Sequence, residues 1–229
     1  MSRLALLVAI LVGAIPCPAG GDCPTNTASD HGPGGSSTYV HSGPTWDQPV
    51  NGGHVAYDLV HGTFSVSSAG GGGQQVAGAE LHVSDVYQIV GPISVSPIPF
   101  QVFVHALGNL SASLQSYPFI GTVCDHASAS LNLDSAPLSK SIGWSAYSPT
   151  CTPLAVDYDL WLEMQKLPGE PFTVRYDLSV GSTAPGVVNC TFAFYGLPAG
   201  YSVTSCQGYS PAPTPVSNAS WGSLKASYR

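Results

Sequence analysis

The sequence predicts an all-β chain, folded as an antiparallel two-sheet sandwich, jelly-roll-like, with disulfide-bridged hairpins. Three observations predict it. Several segments alternate apolar and polar residues with a period of two, which is the mark of strands with one buried and one solvated face. Gly and Pro, 26 and 20 of the 229 residues, cut the chain at short intervals. Charged residues make up only 8% against 44% hydrophobic, so solubility rests on Ser, Thr, Asn, Gln and Gly rather than on the helix-forming Lys and Glu.

The chain opens on Met1-Ser2-Arg3, a short positive region, followed by an unbroken apolar run from Leu4 to Ile15 that is too short to span a bilayer. Small residues at Ala14 and at Cys17-Pro18-Ala19 offer cleavage sites, so residues 1–19 read as a secretory signal peptide. Pro16 stands where a lipidated Cys17 would require Gly or Ala. Residues 20–50, rich in Gly, Pro, Ser and Thr and without periodicity, read as a flexible arm pinned by Tyr39 and Trp46. Residues 51–210 form the sandwich domain and residues 211–229 a tail. No second apolar stretch suggests a transmembrane anchor.

Within the domain, Leu154, Val156, Tyr158, Leu160 and Leu162 share one face, with Asp157, Asp159 and Glu163 opposite. Phe172, Val174, Tyr176, Leu178 and Val180 repeat the pattern, as do Ala127, Ala129, Leu131 and Leu133. Less regular strands are expected over 55–60, 63–67, 80–90, 100–107 and 110–114. One-sided strands need a second sheet to cover them, hence the sandwich, with a closed barrel as the alternative.

Export makes the cysteines legible as disulfides. Cys190 and Cys206 are spaced evenly about Gly196-Leu197-Pro198-Ala199-Gly200, a turn sequence, and are expected to pair across a hairpin. Cys124 and Cys151 have the same layout about the polar segment containing Pro137 and form the second expected pair. Cys23 is left over, or pairs with Cys17 if cleavage follows Ala14; free buried thiols are the alternative for some of them. No C-x-x-C spacing supports zinc.

Thirteen acidic against six basic residues give a net charge of −7, with the cations scattered singly. Nucleic acid and anionic membrane surfaces are therefore poor partners. Catalytic patterns are thin: Gly143-Trp144-Ser145-Ala146-Tyr147 lacks the second Gly of a nucleophile elbow, and Glu80, Glu163 and Glu170 are the only glutamates available for a carboxylate pair. The seven histidines show no i, i+2 spacing. Asp157 and Asp159, on one strand face, are the calcium candidates, without an EF-hand loop; otherwise no cofactor is expected. Trp161 falls on the polar side of its strand, and with Trp144 and Tyr147 it is the candidate ligand-binding set; Tyr195, Tyr201 and Tyr209 are further aromatics of interest. Asn109, Asn189 and Asn218 begin glycosylation sequons that matter only in a eukaryotic secretory pathway.

The stretch TFAFYGLPAGYSVTSCQGY, from Thr191 to Tyr209, resembles the terminal hairpins of exported bacterial β-sandwich proteins grouped as choice-of-anchor or PEP-CTERM-associated domains. The closing Ser220 to Arg229, SWGSLKASYR, is similar to a tail on such proteins. The resemblance implies an extracellular or envelope module and supplies no catalytic residues. No C-terminal apolar anchor with a basic cluster follows, a departure from the PEP-CTERM sorting pattern. The expectation is a secreted, non-catalytic module of the cell envelope, surface or extracellular space, whose partner is an extracellular protein or a glycan. A calcium-assisted, lectin-like carbohydrate-binding module is the alternative.

Overall fold

The computed structural model describes residues 23–209 apart from 33, 72–74, 120 and 148–149; the expected signal peptide and C-terminal tail lie outside the described residues. The described chain consists of fourteen strands and no helix. Sheet A runs in the order β10 (Leu138–Ser145), β9 (Gly121–Ser135), β12 (Pro171–Ser182), β6 (Ala77–Val90), β1 (Asn26–Gly32), β2 (Gly35–His41). Within it, β14 (Ser202–Ser205) also pairs with β6, and β8 (Ala112–Tyr117) pairs with β9. Sheet B is β11 (Leu154–Lys166), β7 (Ile98–Leu110), β13 (Gly186–Tyr195), β5 (Thr63–Ser68), β4 (Gly53–Asp58), β3 (Thr45–Val50). All pairings are antiparallel, and the two sheets face each other as a sandwich.

Alternation dictates the core. Phe172, Val174, Tyr176, Leu178 and Val180 point inward from β12, and Val102, Val104 and Ala106 of β7 belong to the same core. Leu81, Ile89, Leu131, Leu133 and Leu178 are fully enclosed, each contributing about 1.5–3 kcal/mol by burial. Toward one end the core is aromatic: Phe192 stacks on Tyr176 at 4.6 Å and on Tyr209 at 5.2 Å, and Tyr87 meets Phe194 at 4.9 Å.

The segment expected to be a flexible arm is instead integral to both sheets. Residues 26–41 supply β1 and β2 to sheet A, and residues 45–50 supply β3 to sheet B. Its hydroxyl- and Gly-rich composition belongs to edge strands here, and buried polar residues fasten it. Asp30, wholly buried, accepts hydrogen bonds from the Ser37 N–H (2.8 Å), the Tyr39 hydroxyl (3.1 Å) and the Asn51 N–H (2.6 Å). Asn51 lies in the β3–β4 turn, so one carboxylate ties the edge of sheet A to a turn of sheet B.

The disulfides require one correction. Cys124 pairs with Cys151, but Cys206 pairs with Cys23 rather than Cys190, which is a free buried thiol. The reason is topological. The turn at 196–200 does not close a hairpin: β13 belongs to sheet B, whereas β14 pairs with β6 in sheet A. Cys190 is held inside the core opposite Phe64 and Ala106, and burial pushes its thiol pKa up. Meanwhile β1 and β14 occupy successive stretches of β6, at 78–82 and 87–90. The beginning and end of the described chain thus meet, and the Cys23–Cys206 bond crosslinks them.

A buried polar knot reinforces that junction. Gln207 donates from its side chain to the carbonyls of Pro24 (2.9 Å) and Ser84 (3.1 Å) and accepts from the Asn26 amide (3.3 Å). Asp85 accepts from its neighbour Val86 N–H (2.8 Å) and from Gln207 N–H (3.2 Å).

Candidate functional site

The outer face of sheet B is where the sequence-expected ligand residues can be tested. Inward parity of Leu160, Leu162, Val102, Val104 and Phe192 forces their neighbours Trp161, Glu163, Gln101, Phe103 and Ala193 outward. Register then assembles rows across the sheet. Trp161 lies opposite Phe103, which lies opposite Ala193; the next row is Glu163, Gln101, Tyr195. Trp161 is 41% exposed and Tyr195 51%. Phe103 meets the Tyr195 ring edge-on at 5.3 Å. Three aromatic side chains from three adjacent strands, with an amide and a carboxylate between them, make an apolar platform with polar handles.

Lys140, reaching across from β10, places its ammonium 5.1 Å from the centre of the Trp161 ring. Such a cation–π contact orients an exposed indole without removing it from solvent.

Two further rows continue away from the aromatics. Asp159, His105, Thr191, Thr63, Asp58 and Thr45 form one, and Asp157, Leu107, Asn189, Ser65, Ala56 and Asp47 the other. Over β3, β4, β5 and β13 these rows line a shallow depression of about 580 Å³. His105 Nδ1 lies 2.9 Å from Asp159 and 4.0 Å from Asp157. His54 meets Asp47, and His61 meets Asp58, each at 2.6 Å. Burial alone would raise the Asp58 carboxyl, but hydrogen bonds and charge from His61 hold it below the ordinary range.

The other expected residues are not on this face. Trp144 packs against the core from β10 and meets Tyr158 edge-on at 6.2 Å. Tyr147 is 65% exposed but leans on His126 of β9, at 5.0 Å. The expected set of Trp161, Trp144 and Tyr147 is therefore split, because β10 belongs to sheet A and only curls over the edge of β11. Asp157 and Asp159 do share a face, yet Asp159 is engaged by His105. Among the described residues no three His, Cys, Asp or Glu side chains are placed to hold a metal ion. Phe103 and Gln101 were missed as site residues, although the parity of β7 marks them as outward.

The outer face of sheet A is mostly polar, with Val40 and Val90 among its exposed apolar residues on β2 and β6. His82 Nδ1 lies 2.8 Å from Asp177, a hydrogen bond that raises the imidazole pKa, and its Nε2 faces Glu80 at 3.8 Å. A serine-nucleophile triad needs a hydroxyl where Glu80 stands. Ser130 and Ser179, the neighbouring hydroxyls, bond each other at 2.8 Å. No aromatic platform accompanies this cluster.

No protein-family model matches the chain, and no curated protein does. Among solved structures, a likeness was found to TmCBM61 in complex with β-1,4-galactotriose, with a TM-score of 0.27 and 10% sequence identity, covering 58% of this chain and 70% of that one.

Proposed function

We propose that this chain is an exported, non-catalytic β-sandwich module that binds glycans through the outer face of sheet B. The observation that carries the reading is the outward placement of Trp161, Phe103 and Tyr195 on three paired strands, with Gln101 and Glu163 in the adjoining row. Exposed aromatics on a sheet face retain unspent apolar surface, and rings interleaved with hydrogen-bonding groups suit a ligand that has both apolar C–H faces and hydroxyls. Binding rather than hydrolysis fits Glu163, which faces Gln101 across the strand pair instead of a second carboxylate. Two disulfides support an extracellular setting.

The test is a glycan array probed with the oxidised protein and with Trp161→Ala. Reproducible binding by the parent and a loss of at least about 10-fold in affinity in the variant are expected, as for a central aromatic anchor. Binding that survives the substitution unchanged would remove this face from the argument.

A protein partner in the envelope is the second reading. It is favoured by Ile93 and Val95, 99% and 95% exposed on the loop between β6 and β7. A silent array together with a partner lost on Ile93→Ser/Val95→Ser substitution would put this reading ahead.

A further inference from the structure

The rows that leave the aromatic platform carry no break. Thr191 and Asn189 on β13 stand next to His105 and Leu107 on one side and to Thr63 and Ser65 on the other. A ligand seated on Trp161 and Tyr195 therefore has a path, across the strands, into the depression over β3, β4, β5 and β13. Adjacent strands are about 4.8 Å apart, so six strands give a face roughly 24 Å wide, far longer than one sugar ring. The depression offers the Thr63, Ser65 and Thr191 hydroxyls, the Asn189 amide and the Asp47 and Asp58 carboxylates, with Trp46, Tyr57 and Phe64 also in its lining. Hydrogen-bonding groups thus await a chain already anchored by stacking at its other end.

Charge narrows the chemistry. Asp47, Asp58, Asp157, Asp159 and Glu163 all project from this face, and Lys140 is the lysine beside it. Lys166 is engaged by Glu170 at 2.8 Å, and Arg175 is on sheet A beside Asp177. Histidines engage Asp47, Asp58 and Asp159, but the five carboxylates still outnumber the single lysine, so a polyuronate or sulfated chain would meet a net negative face.

We infer that the ligand is an uncharged oligosaccharide several residues long, lying across the strands from Trp161 and Tyr195 into the depression at Thr191 and Asn189. This inference rests on the glycan reading of the face above. Neutral sugars bring hydroxyls that the Thr, Ser, Asn and Asp side chains can pair with and no charge for the carboxylates to repel.

The experiment is isothermal titration of the oxidised protein, Trp161→Ala and Asn189→Ala/Thr191→Ala. The probes are neutral hexose oligosaccharides of two and six residues, from glucan, galactan and mannan, and polygalacturonate. The expected result has four parts. The six-residue form of one neutral series binds at least about 10-fold tighter than the two-residue form. Trp161→Ala abolishes binding of both lengths. Asn189→Ala/Thr191→Ala removes the advantage of the longer ligand and leaves the shorter one unchanged. Polygalacturonate gives no heat of binding. Equal affinity for both lengths, or a length advantage that survives the double substitution, overturns the extended path while leaving the platform standing. Binding of polygalacturonate that is lost in Trp161→Ala overturns the charge argument alone. Silence of the parent protein toward every probe overturns the glycan reading itself, and with it this inference. Circular dichroism of each variant confirms that the loss is not one of folding.

Discussion

Asp85 gives the most exacting test of the fold. Its side chain is wholly buried beside the Cys23–Cys206 crosslink, and burial pushes its carboxyl from 3.8 up to about 6, against the opposing hydrogen bonds of Ser205, Val86 and Gln207. A displacement of that size corresponds to about 3 kcal/mol. The sign follows from proton binding. Because the folded value is raised, the native state holds the proton more tightly than the unfolded chain. The carboxyl's favourable contribution is therefore complete below 3.8 and is lost as pH rises through about 6. Asp85→Asn keeps an oxygen for the Val86 and Gln207 N–H groups and can offer its amide to the Ser205 hydroxyl, but it does not titrate. Urea unfolding of the oxidised parent and variant, at intervals between about pH 4 and pH 7, isolates this group from every other carboxylate. The stability of the parent relative to Asp85→Asn is expected to fall by about 2 kcal/mol over that range, a change in relative midpoint of about 1 M urea. Curves that stay parallel across the range would refute the claim that burial governs this carboxyl.

Three other outcomes follow from buried groups. Asp30→Ala leaves the Ser37 and Asn51 N–H groups and the Tyr39 hydroxyl without their acceptor and is expected to cost about 3–5 kcal/mol by chemical denaturation. Cys190 is expected to be inert to thiol reagents in the native protein and reactive in denaturant; peptide mapping should recover Cys23 linked to Cys206, and recovery of a Cys190–Cys206 peptide would contradict the topology. Tyr87 and Tyr176 bury their hydroxyls against each other without a hydrogen bond of good geometry among the described residues, so Tyr176→Phe is expected to change thermal stability by no more than about 1 kcal/mol.

The strands that alternate strictly were legible in the sequence, because one-sided burial leaves its period in the residues. β12 has the inward and outward faces that alternation assigns it, and so does β11 except at Tyr158, expected inside but 43% exposed beside Trp144. Residues 26–50 were not legible, since Ser, Thr and Gly serve both loops and edge strands; what converts them into strands is the buried Asp30 and its distant partner Asn51. The Cys190–Cys206 expectation failed for a similar reason. A turn sequence specifies that the chain reverses, but not whether the next strand joins the same sheet or the facing one. At the site, the parity of Trp161 was visible from its own strand. Its juxtaposition with Phe103 and Tyr195 was not, because it depends on the registers of β11 with β7 and of β7 with β13.

The distribution of crosslinks also distinguishes the two faces. Cys23–Cys206 fastens β1 and β14 along β6, and Cys124–Cys151 ties the start of β9 to the connection that leads into β11. Sheet A thus carries the covalent reinforcement and the buried polar knot. No disulfide cysteine lies on a strand of sheet B, which is ordered chiefly by pairing, above all by the thirteen-residue register from Leu154–Leu110 to Lys166–Ile98. That register runs beneath the aromatic platform and fixes the backbone from which Trp161 and Phe103 project. A platform built on long paired strands loses little conformational entropy when a ligand settles on it, which favours recognition by stacking over recognition by mobile loops. The outer face of sheet A has a pairing framework of comparable length between β6 and β12, but Gly78 and Gly181 oppose each other there. A Cβ at Gly78 would come within 3.1 Å of the Gly181 Cα, so this close backbone approach accounts for the hollow of about 340 Å³ beside Glu80, Ser130 and Ser179 without a ligand. The two faces share a scaffold and differ in what projects from it, and only sheet B combines rings, hydrogen-bonding groups and open width.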